Sequence, residues 1–203
     1  MQTSSVLEDD HIVSESTAKE SMKNKTSKAS TSSPILSCNL KGFRSDVCEI
    51  YSKVRIHVGE ELGFEVVVNN TSSHDVEEFA KTVNSFDVMM GVHGAGLTNE
   101  VFLPTNAVLI QIVPFGNLEG MSENDFGKGA RNMMLKYLQY SIIEEESTLI
   151  DLYPRDHAVF RDPESIHRQG WAAMGEIYLN QQNVKLNITR FKPVLARALE
   201  LLS

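Results

Sequence analysis

Three short apolar segments limit the fold that this chain can adopt. The segments "GFEVVV" (residues 63–68), "DVMMGV" (87–92) and "AVLIQIVP" (107–114) are mostly apolar and rich in Val, Ile and Met. Runs of this length and composition are typical of strands that are covered on both faces, as in parallel sheets. We therefore predict a mostly parallel sheet that contains strands over 63–68, 87–92 and 107–113.

Helical patterns separate these strands, as parallel pairing requires. Ser73 or Asp75 can cap a helix in "SSHDVEEFAKTVNSF", "LTNEVFL" predicts a short helix that ends at Pro104, and "GKGARNMMLKYLQY" predicts a third helix. A further strand is predicted at "YSIIEE". The predicted apolar positions of the first and third helices are Val76, Phe79, Ala80, Val83, Ala130, Met133, Met134, Tyr137 and Leu138. The alternation predicts a right-handed α/β unit with fewer strands than a complete doubly wound domain.

The C-terminal third is predicted to be helical. Asp162 caps and Pro163 begins a helix through "ESIHRQGWAAMGEIYLNQQ", and Asn187 caps a last helix, "ITRFKPVLARALELL". An apolar stripe on that last helix is expected to pack onto the sheet, and it consists of Phe191, Val194, Leu195, Ala198, Leu199 and Leu202.

The composition changes sharply along the chain. Residues 1–34 are rich in Ser, Thr, Lys and Glu and lack aromatic residues, so they cannot bury enough apolar surface to offset the entropy of ordering. We predict a disordered stem or linker over 1–34, a mixed stretch over 35–58 that ends in the strand-like "KVRIH", and a folded domain over 59–203.

The charge and the apolar pattern exclude some classes of protein. With a net charge of -8, the chain gains nothing from the counterion release that drives nucleic-acid binding, so no nucleic acid is expected as a partner. No apolar run is long enough to span a membrane, and the acidic N-terminus is unlike a signal peptide. We therefore expect no membrane anchor in this chain.

A glycine-rich segment, "VHGAGLTN" (residues 92–99), follows the second predicted strand. Ligands of open α/β sheets bind beyond the carboxyl ends of the strands, glycines let backbone N–H groups approach a ligand, and the next helix directs its positive end there. The segment predicts a phosphate- or diphosphate-binding loop; a tight turn without a ligand is the alternative. The residues that fit this role are Gly91, His93, Gly94, Gly96, Thr98 and Asn99.

Established glycine motifs do not fit this loop. Asn99 stands where G-x-G-x-x-G requires its third glycine, and no G-K-[ST] sequence is present to form a Walker loop. "HGAG" is similar to the HGGG loop of esterases, but the chain has no G-x-S-x-G to supply a nucleophile. No D-x-D triplet is present, so we assign no metal ion, and no cofactor is expected.

Two polar clusters lie further along the chain. In "IIEEESTL" (residues 142–149), a carboxylate beyond a strand end is suited to bind ribose hydroxyls, with a solvated acidic loop as the alternative. "YPRDHAVFRDPESIHRQGW" (153–171) concentrates Arg and His, which fits either a wall for a donor phosphate or a surface network. The two cysteines, Cys38 and Cys48, are either unrelated thiols or a local disulfide that needs an oxidising compartment.

Several longer segments resemble one known family. They are "VNSFDVMMGVHGAGLTNEVFLP", "AVLIQIVPFG", "NDFG", "LKYLQYSIIEEESTL", "DHAVFRDPESIHRQGW" and "YLNQQNVKLNITRFKPVL". They resemble glycosyltransferase family 61, and within it the plant branch that adds pentoses to xylan and N-glycans. The resemblance extends from about Glu60 to the C-terminus.

The resemblance implies a fold, a reaction and a set of site residues. The fold is a partial GT-B fold in which 59–203 is the C-terminal, Rossmann-like domain with a mostly parallel sheet and C-terminal helices. The reaction is inverting transfer of a pentose from UDP-xylose or UDP-arabinose to xylan or an N-glycan in the Golgi. The residues implied to contact the donor are His93, Gly94, Ala95, Gly96, Thr98, Asn99, Glu145, Glu146 and Ser147.

The resemblance also bears on the N-terminal part. "CNLKGFRSDVCEIYSKVRIH" resembles the start of the luminal region of the family, so residues 35–58 are interpreted as a remnant of that region. A luminal location implies a disulfide between Cys38 and Cys48, and it makes the sequons at Asn24, Asn69, Asn70 and Asn187 relevant.

The chain departs from the family pattern at one place. "VRIH" is followed almost at once by "GEELGFEVVV", whereas a long catalytic stretch separates these segments in the family. We therefore expect most of the N-terminal Rossmann domain and the catalytic base to be missing, and we assign no catalytic residue. The alternative function is a non-catalytic module that binds a nucleotide or a partner such as a full-length relative.

Overall fold

Five parallel strands form the centre of this computed structural model, which describes residues 35–39, 61–69 and 75–203, with only the backbone for 35–39, 68 and 69. The strands are β1 (Ile35–Asn39), β2 (Glu65–Asn69), β3 (Val88–Val92), β4 (Val108–Val113) and β5 (Lys136–Ser141). Their order is β2-β1-β3-β4-β5, and each neighbouring pair is parallel. The predicted α/β class and the three predicted strands are confirmed.

The direction of the strand order reverses next to β3. The chain runs from β1 to β2 on one side, crosses back over β1, and then adds β3, β4 and β5 in turn on the other side. The gap between the carboxyl ends of β1 and β3 is therefore a topological switch point, which is where open α/β sheets bind their ligands. β1 lies inside the sheet, although its sequence was assigned to the mixed stretch ahead of the domain.

Helices cover both faces of the sheet, so the domain has three layers. Helix α1 (Val76–Val83) follows β2, a 3₁₀-helix (Ala95–Phe102) follows β3, and α2 (Glu119–Ser122) follows β4. Helix α2 continues through a π-helical turn, Glu123–Gly127, into α3 (Lys128–Asn132). α1, the 3₁₀-helix, the π-helical turn and α3 pack on one face, whereas Met121 of α2 packs against a separate cluster that includes Leu149 and Tyr178.

Side chains alternate between the two faces along each strand, as the pleat requires. The face that carries α1 and α3 is built from Val83, Met89, Leu97, Leu109, Phe126 and Ala130. The C-terminal helix α7 (Ile188–Leu202) covers the opposite face, where its stripe meets the strands through Val88, Met90, Val108, Ile110, Phe191 and Leu195. The predicted packing of the C-terminal helix is confirmed.

The first predicted helix is confirmed with its cap. Asp75 Oδ1 accepts hydrogen bonds from the backbone N–H of Glu77 at 2.9 Å and of Glu78 at 3.2 Å. Val83 is buried as expected, but Val76 is 69% exposed. The apolar side of α1 is therefore narrower than its helical spacing suggests: Val83 and, in part, Phe79 pack against the core of this face, whereas Val76 does not.

The helix predicted over "GKGARNMMLKYLQY" was too long. α3 ends at Asn132, Met134 has φ 60° and is 65% exposed, and the chain then enters β5. All six residues of β5 pair with β4, so pairing with a central strand overrides the local helical pattern. The strand predicted at "YSIIEE" consequently begins earlier, at Lys136.

The C-terminal third contains several short helices where one long helix was predicted. They are α4 (Ala158–Arg161), α5 (Pro163–His167) and α6 (Trp171–Met174), which continues as a π-helical turn, Gly175–Asn180. Gly170, at φ 101°, separates α5 from α6. The predicted caps are confirmed, since Asp162 Oδ1 accepts from Ser165 N at 3.2 Å and Asn187 Oδ1 accepts from Arg190 N at 3.2 Å.

Several predictions fall outside the described residues. They are the disorder of 1–34, the strand at "KVRIH", the domain boundary at 58/59 and the disulfide between Cys38 and Cys48, all of which involve residues 1–34 or 40–60. These remain predictions. Among the helices that are described, none has both the length and the apolar character that are needed to cross a membrane.

Candidate functional site

The loop that follows β3 lies at the switch point between β1 and β3. The backbone N–H of His93 donates to Ile112 O at 2.8 Å, which fixes the start of the loop to β4. Gly94 follows with φ 151° and ψ 180°, a backbone conformation that is open to glycine and strained for other residues. The loop then enters the 3₁₀-helix, whose first residue, Ala95, is exposed.

The polar side chains of this loop brace its backbone. Thr98 Oγ1 donates to Ala95 O at 2.7 Å, and Asn99 Nδ2 donates to Gly96 O at 3.0 Å. Thr98 is exposed, Asn99 is half-buried and Gly96 is buried. The structure therefore brings the predicted loop residues together in one rigid turn, and a ligand contact by any of them remains a prediction.

The imidazole of His93 lies inside the protein and is only 6% exposed. Its Nδ1 is 2.7 Å from Gln111 Nε2 and 3.3 Å from Ser122 Oγ, and Phe126 packs edge-to-face with a centroid distance of 5.5 Å. Asp125 Oδ2 lies 3.8 Å from Nε2. Burial lowers the pKa of His93, and the opposing effect of Asp125 is smaller, so the ring is neutral near pH 7.

The contacts of His93 come partly from the π-helical turn Glu123–Gly127, which contains Asp125 and Phe126. Such turns are rare and are frequently found at functional sites. The segment "NDFG" carries a family resemblance, but its sequence did not predict that it lies near His93. No local signal could have done so, because the contact forms across the carboxyl ends of two strands.

Glu146 is a structural member of the second predicted cluster. It is 1% exposed, and its Oε1 accepts hydrogen bonds from Tyr140 Oη at 2.6 Å and from Asn187 N at 2.7 Å. Its Oε2 accepts from Ile143 N at 3.1 Å and forms an ion pair with Arg190. Glu146 thereby joins the turn after β5 to the first turn of α7.

Glu145 and Ser147 have opposite environments. Ser147 is fully buried, and its Oγ donates to Gln182 Oε1 at 2.7 Å. The Glu145 side chain is 54% exposed and pairs with Arg155 at 2.8 Å, and the hydrogen bond from Arg155 lowers the pKa of Glu145. Glu145 is thus the member of the predicted set whose carboxylate a ligand can reach.

The loop after β3 and the turn after β5 are neighbours at the same edge of the sheet. Their strands are separated by β4, so the strand ends lie about 10 Å apart. This distance suits a ligand that extends along the edge, with one end at His93 and the other at Glu145.

The basic cluster at 153–171 is largely paired. Arg155 bonds Glu145, Arg168 lies 3.3 Å from Asp162, and His167 Nε2 is 2.7 Å from Gly116 O. These three contacts favour the surface-network interpretation over a phosphate wall. His167 nevertheless lies beside the loop after β4, next to the predicted site.

Glu100 is a buried carboxylate that sequence reasoning missed. It lies in the 3₁₀-helix, is 6% exposed, and its Oε2 has no hydrogen-bond partner in the described part of the chain. Burial raises the pKa of Glu100 to about 7. The available signal was a single acidic residue within the otherwise apolar end of "LTNEVFL".

Comparison with known proteins gives a consistent result. Residues 44–110 match the family model described as Glycosyltransferase 61. The chain is 54% identical over 146 residues to an alpha-1,3-arabinosyltransferase of Oryza sativa subsp. japonica, which covers 71% of this chain and 25% of that protein. It is 50% identical over 147 residues to a beta-1,2-xylosyltransferase of the same plant, covering 72% of this chain and 31% of the relative.

A more distant relative is also a plant protein. The chain is 34% identical over 144 residues to a xylan glycosyltransferase of Arabidopsis thaliana, covering 70% of this chain and 29% of that protein. The matched part of the chain thus spans between 25% and 31% of the length of these relatives.

Proposed function

Because the chain belongs to the glycosyltransferase 61 family, we propose that its α/β domain binds the nucleotide-sugar donor of a pentosyltransferase. The proposed donor is UDP-xylose or UDP-arabinose, and the proposed acceptor is xylan or an N-glycan. Relatives named as arabinosyl-, xylosyl- and xylan glycosyltransferases support the pentose and the xylan. The Golgi, where family 61 enzymes act, is the proposed compartment.

The observation that carries this proposal is the position and shape of the loop after β3. It lies at the switch point of the sheet, and Gly94 adopts a conformation that suits close backbone approach to a ligand. We propose that the donor diphosphate binds the backbone of Gly94–Gly96 and the exposed Thr98, with His93 at the base of the loop. A neutral imidazole supplies a hydrogen bond there without a full charge.

The nucleoside is proposed to extend toward β5. Glu145 is half-exposed, and a carboxylate at this position is suited to accept hydrogen bonds from ribose hydroxyls. Glu146 and Ser147 support this turn from inside, since their oxygens bond other parts of the protein. They are therefore proposed to act on the donor only through the position of Glu145.

Inverting transfer also requires a base within hydrogen-bonding distance of the acceptor hydroxyl. We assign no such residue in the described part of the chain. The proposal accordingly concerns donor binding first, and sugar transfer second.

Calorimetric titration of the full chain with UDP tests donor binding. We expect weak binding, of the order of 1 mM, which corresponds to about 4 kcal/mol. His93→Ala and Gly94→Val are expected to weaken it, the second by placing a β-branched side chain at a φ of 151°. Gly120→Ala is a matched control, because nothing lies within 4 Å of a Cβ added at Gly120.

The result also separates the two candidate functions. Binding of UDP together with pentose transfer from UDP-xylose or UDP-arabinose to xylan oligosaccharides supports the enzyme. Binding without transfer supports a nucleotide-binding module. A folded chain that does not bind UDP would show that the donor-site proposal is wrong.

A further inference from the structure

We infer that Gln111 and Tyr137 hold His93 in the neutral tautomer that carries its proton on Nε2. The inference deepens the proposed function. It rests on that function only for the identity of the ligand that the Nε2 N–H of His93 would bind. The tautomer itself follows from the hydrogen bonds of the described residues.

Gln111 is an unusual residue for its position. It lies in the middle of β4, in the run "VLIQIV", and it is fully buried. A buried amide needs partners for both its oxygen and its nitrogen. Its Oε1 lies 2.6 Å from Tyr137 Oη, and its Nε2 lies 2.7 Å from His93 Nδ1.

In this arrangement Nδ1 of His93 is the acceptor. The Tyr137 hydroxyl donates to Gln111 Oε1, Gln111 Nε2 donates to Nδ1, and the single proton of the neutral ring is therefore on Nε2. Burial raises the pKa of Tyr137, so its hydroxyl stays protonated and available as a donor. Gln139 Oε1, 2.9 Å from Tyr137 Oη, is a second acceptor for the same hydroxyl proton, and the bond to Gln111 Oε1 at 2.6 Å is the shorter of the two.

A reversed chain of hydrogen bonds is the alternative, because a side-chain amide can turn over and exchange the places of its oxygen and nitrogen. With the Gln111 amide turned over, its nitrogen would donate to Tyr137 Oη, and its oxygen would accept a proton from His93 Nδ1. The proton of His93 would then be on Nδ1, and Nε2 would present a lone pair.

Asp125 distinguishes the two arrangements. Its carboxylate lies 3.8 Å from His93 Nε2, so a proton on Nε2 is attracted to it, whereas a lone pair on Nε2 is repelled. The titratable group that acts on His93 by charge is Asp125. Ser122 Oγ, at 3.3 Å from Nδ1, is able to donate to Nδ1 in the favoured arrangement.

The consequence for the site is a hydrogen-bond donor with a fixed direction. Nδ1 is anchored to β4 through Gln111, and the ring is held by Phe126. Nε2 makes no hydrogen bond of 3.5 Å or less to the described residues. Asp125 Oδ2, at 3.8 Å, lies beyond that distance. Its N–H is thus available to a phosphate oxygen, and Gln111 and Tyr137 are positioning residues that act through His93.

Nitrogen-15 NMR of histidine-labelled full chain tests the tautomer at neutral pH. The chain has 6 histidines, and the His93 signals are assigned from their loss in His93→Ala. We expect a protonated, pyrrole-type signal for Nε2 and an unprotonated, pyridine-type signal for Nδ1. A protonated Nδ1, with or without a protonated Nε2, would overturn the inference.

Two variants test the roles of the positioning residues. Gln111→Glu replaces the amide donor with a carboxylate acceptor, so Nδ1 should become protonated; an unprotonated Nδ1 in the folded variant would contradict the role of Gln111. Tyr137→Phe keeps the ring but removes the hydroxyl, and it should allow a mixture of tautomers. If the wild-type signals persist in Tyr137→Phe, then Tyr137 has no such role.

Addition of UDP separates this inference from the proposed function. If both are right, UDP shifts the Nε2 signal of His93 more than the Nδ1 signal. If the tautomer is as inferred and UDP does not bind, the donor-site proposal fails alone. If UDP binds and Nδ1 carries the proton, the inference fails alone.

Discussion

The side-chain amide of Gln182 forms a closed pair of hydrogen bonds with the backbone of Phe115: Nε2 donates to its carbonyl oxygen at 2.9 Å, and Oε1 accepts from its N–H at 3.0 Å. The same amide bonds Tyr178 O at 2.7 Å and Ser147 Oγ at 2.7 Å. One buried side chain therefore joins the loop after β4, the turn after β5 and the π-helical turn after α6. Gln182 thereby helps to fix the relative position of the loop after β4 and the turn after β5.

Gln182→Leu should destabilise the protein strongly. The substitution removes the bonds of Gln182 to the N–H and carbonyl oxygen of Phe115, to Tyr178 O and to Ser147 Oγ, in a site where Gln182 is fully buried. Unsatisfied buried groups cost about 1–3 kcal/mol each, so we expect a loss of about 2–4 kcal/mol after partial relaxation. Urea unfolding measures it, and Gln169→Leu, at an exposed position, is the matched control.

The free energy of unfolding of Gln169→Leu should lie within about 0.5 kcal/mol of that of the wild type. Equal effects of the two substitutions would show that the hydrogen bonds of Gln182 do not hold the loops. Sequence reasoning did not find this residue, because its partners come from distant segments and a glutamine in "NQQNV" carries no local signal.

Substitutions at Glu145 and Glu146 should affect ligand binding and protein stability separately. Glu146→Gln removes a buried charge that accepts three hydrogen bonds and pairs with Arg190. We expect a loss of about 2 kcal/mol or more in the free energy of unfolding. UDP affinity, measured where the variant is folded, should fall less than in Glu145→Gln, because Glu146 acts on the donor only through the position of Glu145.

Glu145→Gln should show the opposite result. Its ion pair with Arg155 is exposed to solvent, where such pairs contribute little to stability, so the free energy of unfolding should be nearly unchanged. If Glu145 binds the ribose, UDP affinity should fall several-fold, as expected for one hydrogen bond of about 1 kcal/mol. Unchanged UDP affinity in Glu145→Gln would show that Glu145 is not part of the donor site.

The buried carboxyl of Glu100 should make stability depend on pH. Burial raises the pKa of Glu100 from its usual 4.5 to about 7 in the folded chain, so the folded chain retains this proton where the unfolded chain releases it. The folded state is therefore favoured at low pH, and this contribution is lost as pH rises from 4.5 to 7. The full effect is roughly 3 kcal/mol.

Glu100→Gln should remove this dependence. The variant should be more stable than the wild type at pH 8, and the advantage should disappear at pH 4. Chemical unfolding at a series of pH values provides the measurement, with Glu78→Gln at an exposed position of α1 as the control. A wild-type profile with the same slope as that of Glu100→Gln would contradict the raised pKa.

The sheet could be predicted from the sequence where the strands are apolar throughout. β3 and β4 were located to within one residue, because "VMMGV" and "VLIQIV" are buried on both faces. β1, "ILSCN", was missed because its pattern is mixed and its neighbours are polar. It becomes a strand by pairing on both sides, with β2 and with β3, and this information is not local.

The candidate site could be predicted in outline only. The loop after β3 was located correctly from its glycines and from the rule for strand ends. The burial of His93 was not predicted, because Gln111 and Ser122 contact it from elements that are distant in the sequence. The available sequence signal was Gln111, a glutamine within the apolar strand "VLIQIV", and it was not used.

Asp125→Asn should strengthen UDP binding. Asp125 is a half-exposed carboxylate 3.8 Å from His93 Nε2, and it should repel a diphosphate bound at the adjacent loop. For a diphosphate oxygen about 4 Å from this carboxylate, removal of the charge is worth about 1 kcal/mol in a water-like environment, so the dissociation constant should fall about fivefold at low salt. The gain should shrink at high salt, where exposed charges are screened.

The same substitution should lower the pKa of His93 further, because Asp125 is the charge that raises it. Asp156→Asn, at an exposed position, is the matched control for the change in net charge. UDP titrations of both variants at two ionic strengths provide the measurement. If Asp125→Asn and Asp156→Asn have equal effects on UDP affinity, then the diphosphate does not bind beside His93, and the loop after β3 serves only as a turn.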